Sequence, residues 1–83
     1  MDAQVIQKEI VSFVCKNFLV DETEIVLDQS LVDQGIIDSF GLVEIAAFLK
    51  KKYSIITTET DMNRNNYGSI PKMAAFVERK LHG

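Results

Sequence analysis

Apolar residues recur every three or four positions over residues 3 to 18. Ile6, Ile10, Phe13, Val14 and Phe18 share one side, and Gln7, Lys8, Ser12 and Lys16 take the other. That spacing predicts an amphipathic helix. Asp2, just ahead of it, suits the cap in both side chain and charge. The same period returns over residues 39 to 53. There Leu42, Ile45, Ala46 and Leu49 form the expected buried stripe and Tyr53 closes it. It returns again over residues 69 to 81, with Ile70, Met73, Ala74, Phe76, Val77 and Leu81 inward and Lys72, Glu78, Arg79 and Lys80 outward. Ser69 is a good N-cap for this last helix. Pro71 is tolerated in its first turn, because the N–H it lacks would have no helical partner there.

Two connections separate these helices. The first, residues 19 to 38, is polar and turn-like at Asp21-Glu22-Thr23-Glu24, with a short turn of helix expected at Asp28-Gln29-Ser30. Ile25, Leu27, Leu31, Ile36 and Ile37 follow at irregular intervals. A long stretch without regular structure is unusual in a compact fold. Scattered apolar residues predict a loop pinned to the core, as in a bundle with one long crossover. Gly35 is placed to supply a positive φ or a tight passage. In the second connection, residues 54 to 68, Ser54-Ile55-Ile56-Thr57-Thr58 is β-branched, but a lone strand has no partner, so an extended loop is expected. Thr60 or Asp61 is expected to cap a short third helix over Met62 to Asn66, which Asn65-Asn66-Tyr67-Gly68 breaks. The fold class is therefore all-α: a small four-helix bundle of three longer helices and one short third helix, with a long loop between helices 1 and 2. One domain over residues 1–83 is expected.

Composition narrows the function. A chain of 83 residues, 47% of them apolar, supports one small core and leaves little room for a deep catalytic pocket. Its single His, His82, stands at the tail, and its single Cys, Cys15, has no orienting group, so no nucleophile–base pair is in view. No phosphate-cradling glycine loop and no metal-ligand spacing occurs. An enzyme is not expected. Cys15 cannot form an intrachain disulfide and reads as filler in the core or at its boundary, in keeping with a reducing compartment. Met1-Asp2-Ala3-Gln4 lacks the basic start and apolar run of a leader, and no apolar stretch reaches the roughly 20 residues of a membrane span. A cytoplasmic protein is expected.

The net charge of −3 argues against nucleic acid, and so against a helix-turn-helix reading. Its distribution says more. No Lys or Arg lies between Lys16 and Lys50, and seven of the twelve acids do: Asp21, Glu22, Glu24, Asp28, Asp33, Asp38 and Glu44. Such a run is either a plain solvated acidic loop or a negative field that steers basic partner surfaces. Lys50-Lys51-Lys52 then close the second helix, where they suit its dipole.

The acidic run centres on Asp33-Gln34-Gly35-Ile36-Ile37-Asp38-Ser39-Phe40-Gly41-Leu42-Val43-Glu44, a loop that ends in a serine and opens a helix. Ser39 has two readings. It can cap the helix, or it can stand exposed at the positive helix end, where a phosphate is welcome. The two are compatible if Asp38 takes the cap and Ser39 becomes the first helical residue. Phe40, Val43 and Ala47 fall to a different side from the main stripe. They are either the edge of a broad core face or, with Glu44, an exposed apolar patch for transient docking. Gly41 costs roughly 1 kcal/mol relative to Ala in a helix. Either the first turn is loosely formed, or a partner or a bound arm must approach the backbone there.

Gly35-Ile36-Ile37-Asp38-Ser39-Phe40 resembles the Asp-Ser-Leu attachment motif of acyl and peptidyl carrier proteins, with Phe40 where many members have Leu or Met. The resemblance extends over nearly the whole chain in length, helix order, acidic balance and serine position. It implies that Ser39, beside Asp38, is esterified with 4'-phosphopantetheine, moved from coenzyme A by a phosphopantetheinyl transferase (holo-acyl-carrier-protein synthase). The arm's thiol would carry acyl groups as thioesters between enzymes of fatty acid, lipid or polyketide synthesis. Acyl-loading and acyl-processing enzymes with basic docking surfaces are the implied partners of a monomer, meeting Phe40, Val43, Glu44 and Ala47. By resemblance alone, the short third helix gates a cavity for the acyl chain, with Met62 and Tyr67 as lining candidates. The basic run Lys50-Lys51-Lys52 departs from the family, many of whose members are acidic there, and points to a dedicated set of partners. A peptidyl or aminoacyl carrier loaded by an adenylating enzyme shares the motif. An unmodified helical adaptor, in which Ser39 only caps, is the rival of a different class.

Overall fold

A computed structural model describes residues 2–82, all of whose regular structure is helical. Helix α1 spans Ala3–Phe18, α2 Ser39–Tyr53, α3 Arg64–Tyr67 and α4 Ile70–His82. The three long helices follow the hydrophobic period to within a residue. Asp2 caps α1, its carboxylate accepting from the Gln4 amide at 2.9 Å. Ser69 caps α4, its Oγ accepting from the Lys72 amide at 3.3 Å.

Each long helix contributes one stripe to a shared core. Ile6, Ile10 and Val14 of α1, Ile45 and Leu49 of α2, and Ile70, Met73 and Val77 of α4 are all fully buried. Burial of one such side chain contributes about 1.5–3 kcal/mol. An exposed ion pair contributes about 0–1 kcal/mol, so the core holds the bundle and the charges trim it. Helices α1 and α2 run antiparallel. Phe13 stacks on Phe48 with ring centroids 4.3 Å apart. At one end of that seam Lys52 Nζ lies 2.9 Å from Glu9 Oε2. At the other, the Phe18 ring approaches the backbone at Gly41. The C-terminal end of α1 therefore meets the N-terminal end of α2.

Three expectations shift. The helical turn in the first connection is a single 3-10 turn at Glu22–Glu24, not at Asp28-Gln29-Ser30. Asp21 and Glu24 form a reciprocal capping box there, with Thr23 N donating to Asp21 at 3.1 Å and Asp21 N to Glu24 at 3.2 Å. The short third helix begins at Arg64 and not Met62, because Asn63 caps it and the amide of Asn66 donates to Asn63 at 3.0 Å. Thr58 and Asp61 are occupied with each other's backbone amides in the preceding turn. Third, Leu81, expected inward, is 39% exposed. The 54–58 segment is extended loop, as expected.

Candidate functional site

The site is built by a pinned loop delivering Ser39 to a helix mouth. Leu31 and Ile37 are buried and anchor the loop to the core. Gln34, a residue the sequence reading passed over, staples it. Its carbonyl oxygen accepts from the Val26 amide at 2.8 Å, and its amide nitrogen donates to the carbonyls of Val26 at 2.8 Å and Gln29 at 3.0 Å. Gly35 takes φ +76°, the left-handed conformation that the expected tight passage needs.

Asp38 is the N-cap of α2. Its backbone is extended, and its carboxylate accepts from the Gly41 amide at 3.0 Å. Ser39 is thereby the first helical residue, it is exposed, and among the described residues nothing takes up its hydroxyl in a hydrogen bond. The amides of Ser39 and Phe40 have no acceptor within the described residues, so the positive end of a 15-residue helix is open beside that hydroxyl. A phosphoryl group on Ser39 Oγ fits this place: the oxygen is free, the exit is to solvent, and the adjacent charge is favourable. Replacing Asp38 by Ala should lower stability by about 1 kcal/mol through loss of the cap, measured by denaturant titration, with the Ser39 hydroxyl still exposed.

The patch beside the serine is real surface. Phe40 is 77% and Val43 57% exposed, and Glu44 and Ala47 are exposed with them. The buried stripe of α2 is Gly41, Ile45, Leu49 and Tyr53: Ile45, Leu49 and Tyr53 are buried as expected, and Leu42 and Ala46 are half-buried at its edge. Gly41 sits inside that stripe. A Cβ there would stand 2.6 Å from Ile37 Cβ and 3.4 Å from the Phe18 ring. The close approach is made by the chain's own loop, which corrects both sequence explanations of this glycine.

Among the described residues, one acid of the surround is in an ion pair: Arg64 lies 3.9 Å from Asp33. Asp21, Glu22, Asp38 and Glu44 are exposed. Tyr67 is in the packed core, where its hydroxyl lies 3.1 Å from Thr57 Oγ1 and its ring faces Phe76. Met62 is half-buried against the same core. The one thiol is remote in kind from the serine. Cys15 lines a groove of about 770 Å³ between α1 and the loop, with Val11, Val20, Ile25 and Leu27. Burial pushes its thiol up, with Glu22, Asp21 and Glu24 adding to the shift. No group of three or more His, Cys, Asp or Glu among the described residues could hold a metal ion, and no helix there is long and apolar enough to cross a membrane.

A family model described as a phosphopantetheine attachment site matches residues 8–77. The chain is also similar to the D-alanyl carrier proteins of Streptococcus pyogenes serotype M5 (strain Manfredo), serotype M49 (strain NZ131) and serotype M1. Each is 26% identical over 77 residues, which cover 93% of this chain and 96% of the relative.

Proposed function

The chain belongs to the phosphopantetheine attachment-site family of carrier proteins, and we propose that Ser39 is the residue on which it holds 4'-phosphopantetheine. The observation that carries this reading is the exposed Ser39 hydroxyl at the first position of α2, with the capping duty taken by Asp38. In the transfer, the Ser39 oxygen bonds to the phosphorus nearer the pantetheine half of coenzyme A. The phosphoanhydride bond breaks, the nucleotide half leaves, and the hydroxyl proton passes to a base of the transferase. Once attached, the group supplies a thiol on a flexible arm, able to hold cargo as a thioester. Asp38 positions the serine, and the helix end stabilises the phosphodiester beside it.

For the cargo we assign a small aminoacyl group, loaded by an adenylating enzyme. Similarity to D-alanyl carrier proteins over nearly the full length supports it. So does the packing: Ile6, Ile10, Ile45, Leu49, Met73 and Val77 are fully buried, and a short polar cargo needs no space between the helices. The second reading is an acyl chain of fatty acid, lipid or polyketide synthesis. It has the exposed Phe40–Val43 patch beside Ser39 in its favour.

The test is stepwise. With coenzyme A, Mg²⁺ and a promiscuous phosphopantetheinyl transferase, the protein should gain one phosphopantetheine mass, mapped to the peptide containing Ser39. The holo protein is then offered D-alanine with ATP and an adenylating enzyme, and in parallel a fatty-acyl loading enzyme. Aminoacyl thioester on intact mass is the expected product. Fatty-acyl loading alone would transfer the assignment to the second reading, and an unmodified protein would remove both.

A further inference from the structure

The groove beside Cys15 takes no part in attaching the arm, yet at about 770 Å³ it has the size of a small-molecule site. Val11 of α1 and Val20, Ile25 and Leu27 of the first connection give it an apolar lining. Its charges are divided. Lys8 and Lys16 belong to α1, and Asp21 and Glu22 belong to the connection on the other side. All four are exposed, and none is in an ion pair among the described residues. Asp21 is already engaged, its carboxylate accepting from the Thr23 amide at 3.1 Å. Glu22 is left as the free carboxylate of the groove. An apolar trough with a free carboxylate on one side and two ammoniums on the other suits a ligand with an apolar body, carbonyl oxygens and one cationic end.

The groove is within reach of the serine. Val11 and Cys15 are four residues apart on α1, and Phe18 is three further on, so the three share one stripe of the helix. Neighbours on such a stripe stand about 5–6 Å apart. Phe18 in turn reaches the first turn of α2, its ring 3.4 Å from a Cβ position at Gly41. The Cys15 end of the groove is therefore one helical turn from that contact, and Ser39 is two residues beyond it. A phosphopantetheine arm has about as many chain bonds as four to five residues and extends on the order of 16 Å. That length carries its far end from Ser39 past Phe18 into the groove.

We propose that this groove receives the loaded arm, an aminoacyl group on phosphopantetheine, with the aminoacyl ammonium paired to Glu22. The inference rests on Ser39 as the attachment residue and on an aminoacyl cargo. That ligand has the three properties the groove asks for. The methyl groups of the arm are apolar and meet Val11, Ile25 and Leu27. Its amide oxygens accept from Lys8 or Lys16, and its aminoacyl end is a cation at neutral pH. A thioester beside an ammonium is open to attack by water, so a covered resting place preserves the cargo between enzymes. An exposed ion pair is weak and screened by salt, so the arm still leaves readily for the next partner.

The test uses the full chain carrying an alanyl arm in which an amide replaces the thioester, transferred from the matching coenzyme A analogue by a promiscuous transferase with Mg²⁺. Cys15 is then the only thiol present, and its rate of alkylation by a small maleimide reports whether the groove is open. Alkylation should slow about five-fold from the apo protein to the alanyl form, in proportion to the time the groove is filled. An acetyl arm, which has no ammonium, should slow it by no more than about two-fold, and Glu22→Gln should reduce protection by the alanyl arm to the same level. Glu22 is exposed and outside the capping box, so this variant should melt as the wild type does. In amide-resolved NMR, Val11, Cys15 and Leu27 should shift between the acetyl and alanyl forms. Equal alkylation of the apo and alanyl proteins, without those shifts, would overturn the inference and leave Ser39 standing, because intact mass reads the loading separately. Equal protection by the acetyl and alanyl arms, or protection that survives Glu22→Gln, would overturn the pairing with a cation. If the protein gains no arm at all, the attachment reading falls and this one with it.

Discussion

Ser39→Ala should fold as the wild type does and gain no mass under conditions that fully convert the wild type. The two halves of that result come from one geometric fact. Ser39 is the first helical residue and makes no capping bond; Asp38 makes it. Removing the hydroxyl therefore removes chemistry without removing a support, and the change in stability should stay within about 0.5 kcal/mol. Circular dichroism and a thermal melt check the fold, and intact mass checks the modification. No other serine offers the same setting. Ser12 lies in mid-helix on α1, away from any open helix end. Ser30 Oγ accepts from the amides of Val32 and Asp33. Ser54 stands at the negative end of α2, and Ser69 is buried and caps α4. Modification that survives in Ser39→Ala would thus contradict the site and not merely relocate it. The contrast with Asp38→Ala sharpens the test. That variant should lose stability and keep its acceptor oxygen, so the pair separates the residue that holds the helix from the residue that is acted upon.

The helices were legible because their signals are local. In α1 the four-residue spacing of Ile6, Ile10 and Val14 and the aspartate ahead of them are both written within one stretch of chain. The same holds for α4 and its serine. The site was legible for a related reason: Asp-Ser at a loop-to-helix boundary allows only a few arrangements, and the structure takes the one that leaves the hydroxyl free. What the sequence hid was competition between local signals. Asp21-Glu22-Thr23-Glu24 carries the spacing of a capping box, and Asp28-Gln29-Ser30 is merely polar, yet both look like turns. Thr60 and Asp61 were the caps expected on paper, and Asn63 was not considered. Asn63 won because Asp61 was already held by the backbone of Thr58.

Tertiary contacts were the other blind spot. The face of α2 was fixed only in part by its own residues: Ile45, Leu49 and Tyr53 are buried as expected, but Leu42 is half-buried and Gly41 is buried in its place. A large apolar residue is the natural choice for the core, and it lost to a glycine. The loop decides the matter, since Ile37 occupies the space that a side chain at 41 would fill. With Gly41 buried against that loop, Phe40 and Val43 stand exposed on another side of α2. Gln34 was missed because nothing in its neighbourhood of sequence shows that the amide meets Val26 and Gln29.

Gly41→Ala should destabilise the protein, against the sign that helix propensity gives. Inside a helix, Ala is better than Gly by roughly 1 kcal/mol, and a surface glycine on α2 would follow that rule. At 41 the added Cβ meets Ile37 Cβ at 2.6 Å and Ile37 Cγ2 at 3.1 Å. A Cβ contact leaves no flexible side-chain end to swing aside, so the backbone of the loop has to move. Overpacking of this kind costs about 1–3 kcal/mol beyond any gain, and the net loss should lower the melting temperature by several degrees in a chain of this size. Function should suffer more than stability. Ile37 immediately precedes Asp38, so a displaced loop drags the cap and the presented hydroxyl with it, and the rate of phosphopantetheine transfer should fall while the helices persist. A thermal melt and a transfer assay on the same preparation separate the two effects. A stabilised Gly41→Ala variant would mean that the loop yields freely, and the position of Ser39 would then owe nothing to its packing on α2.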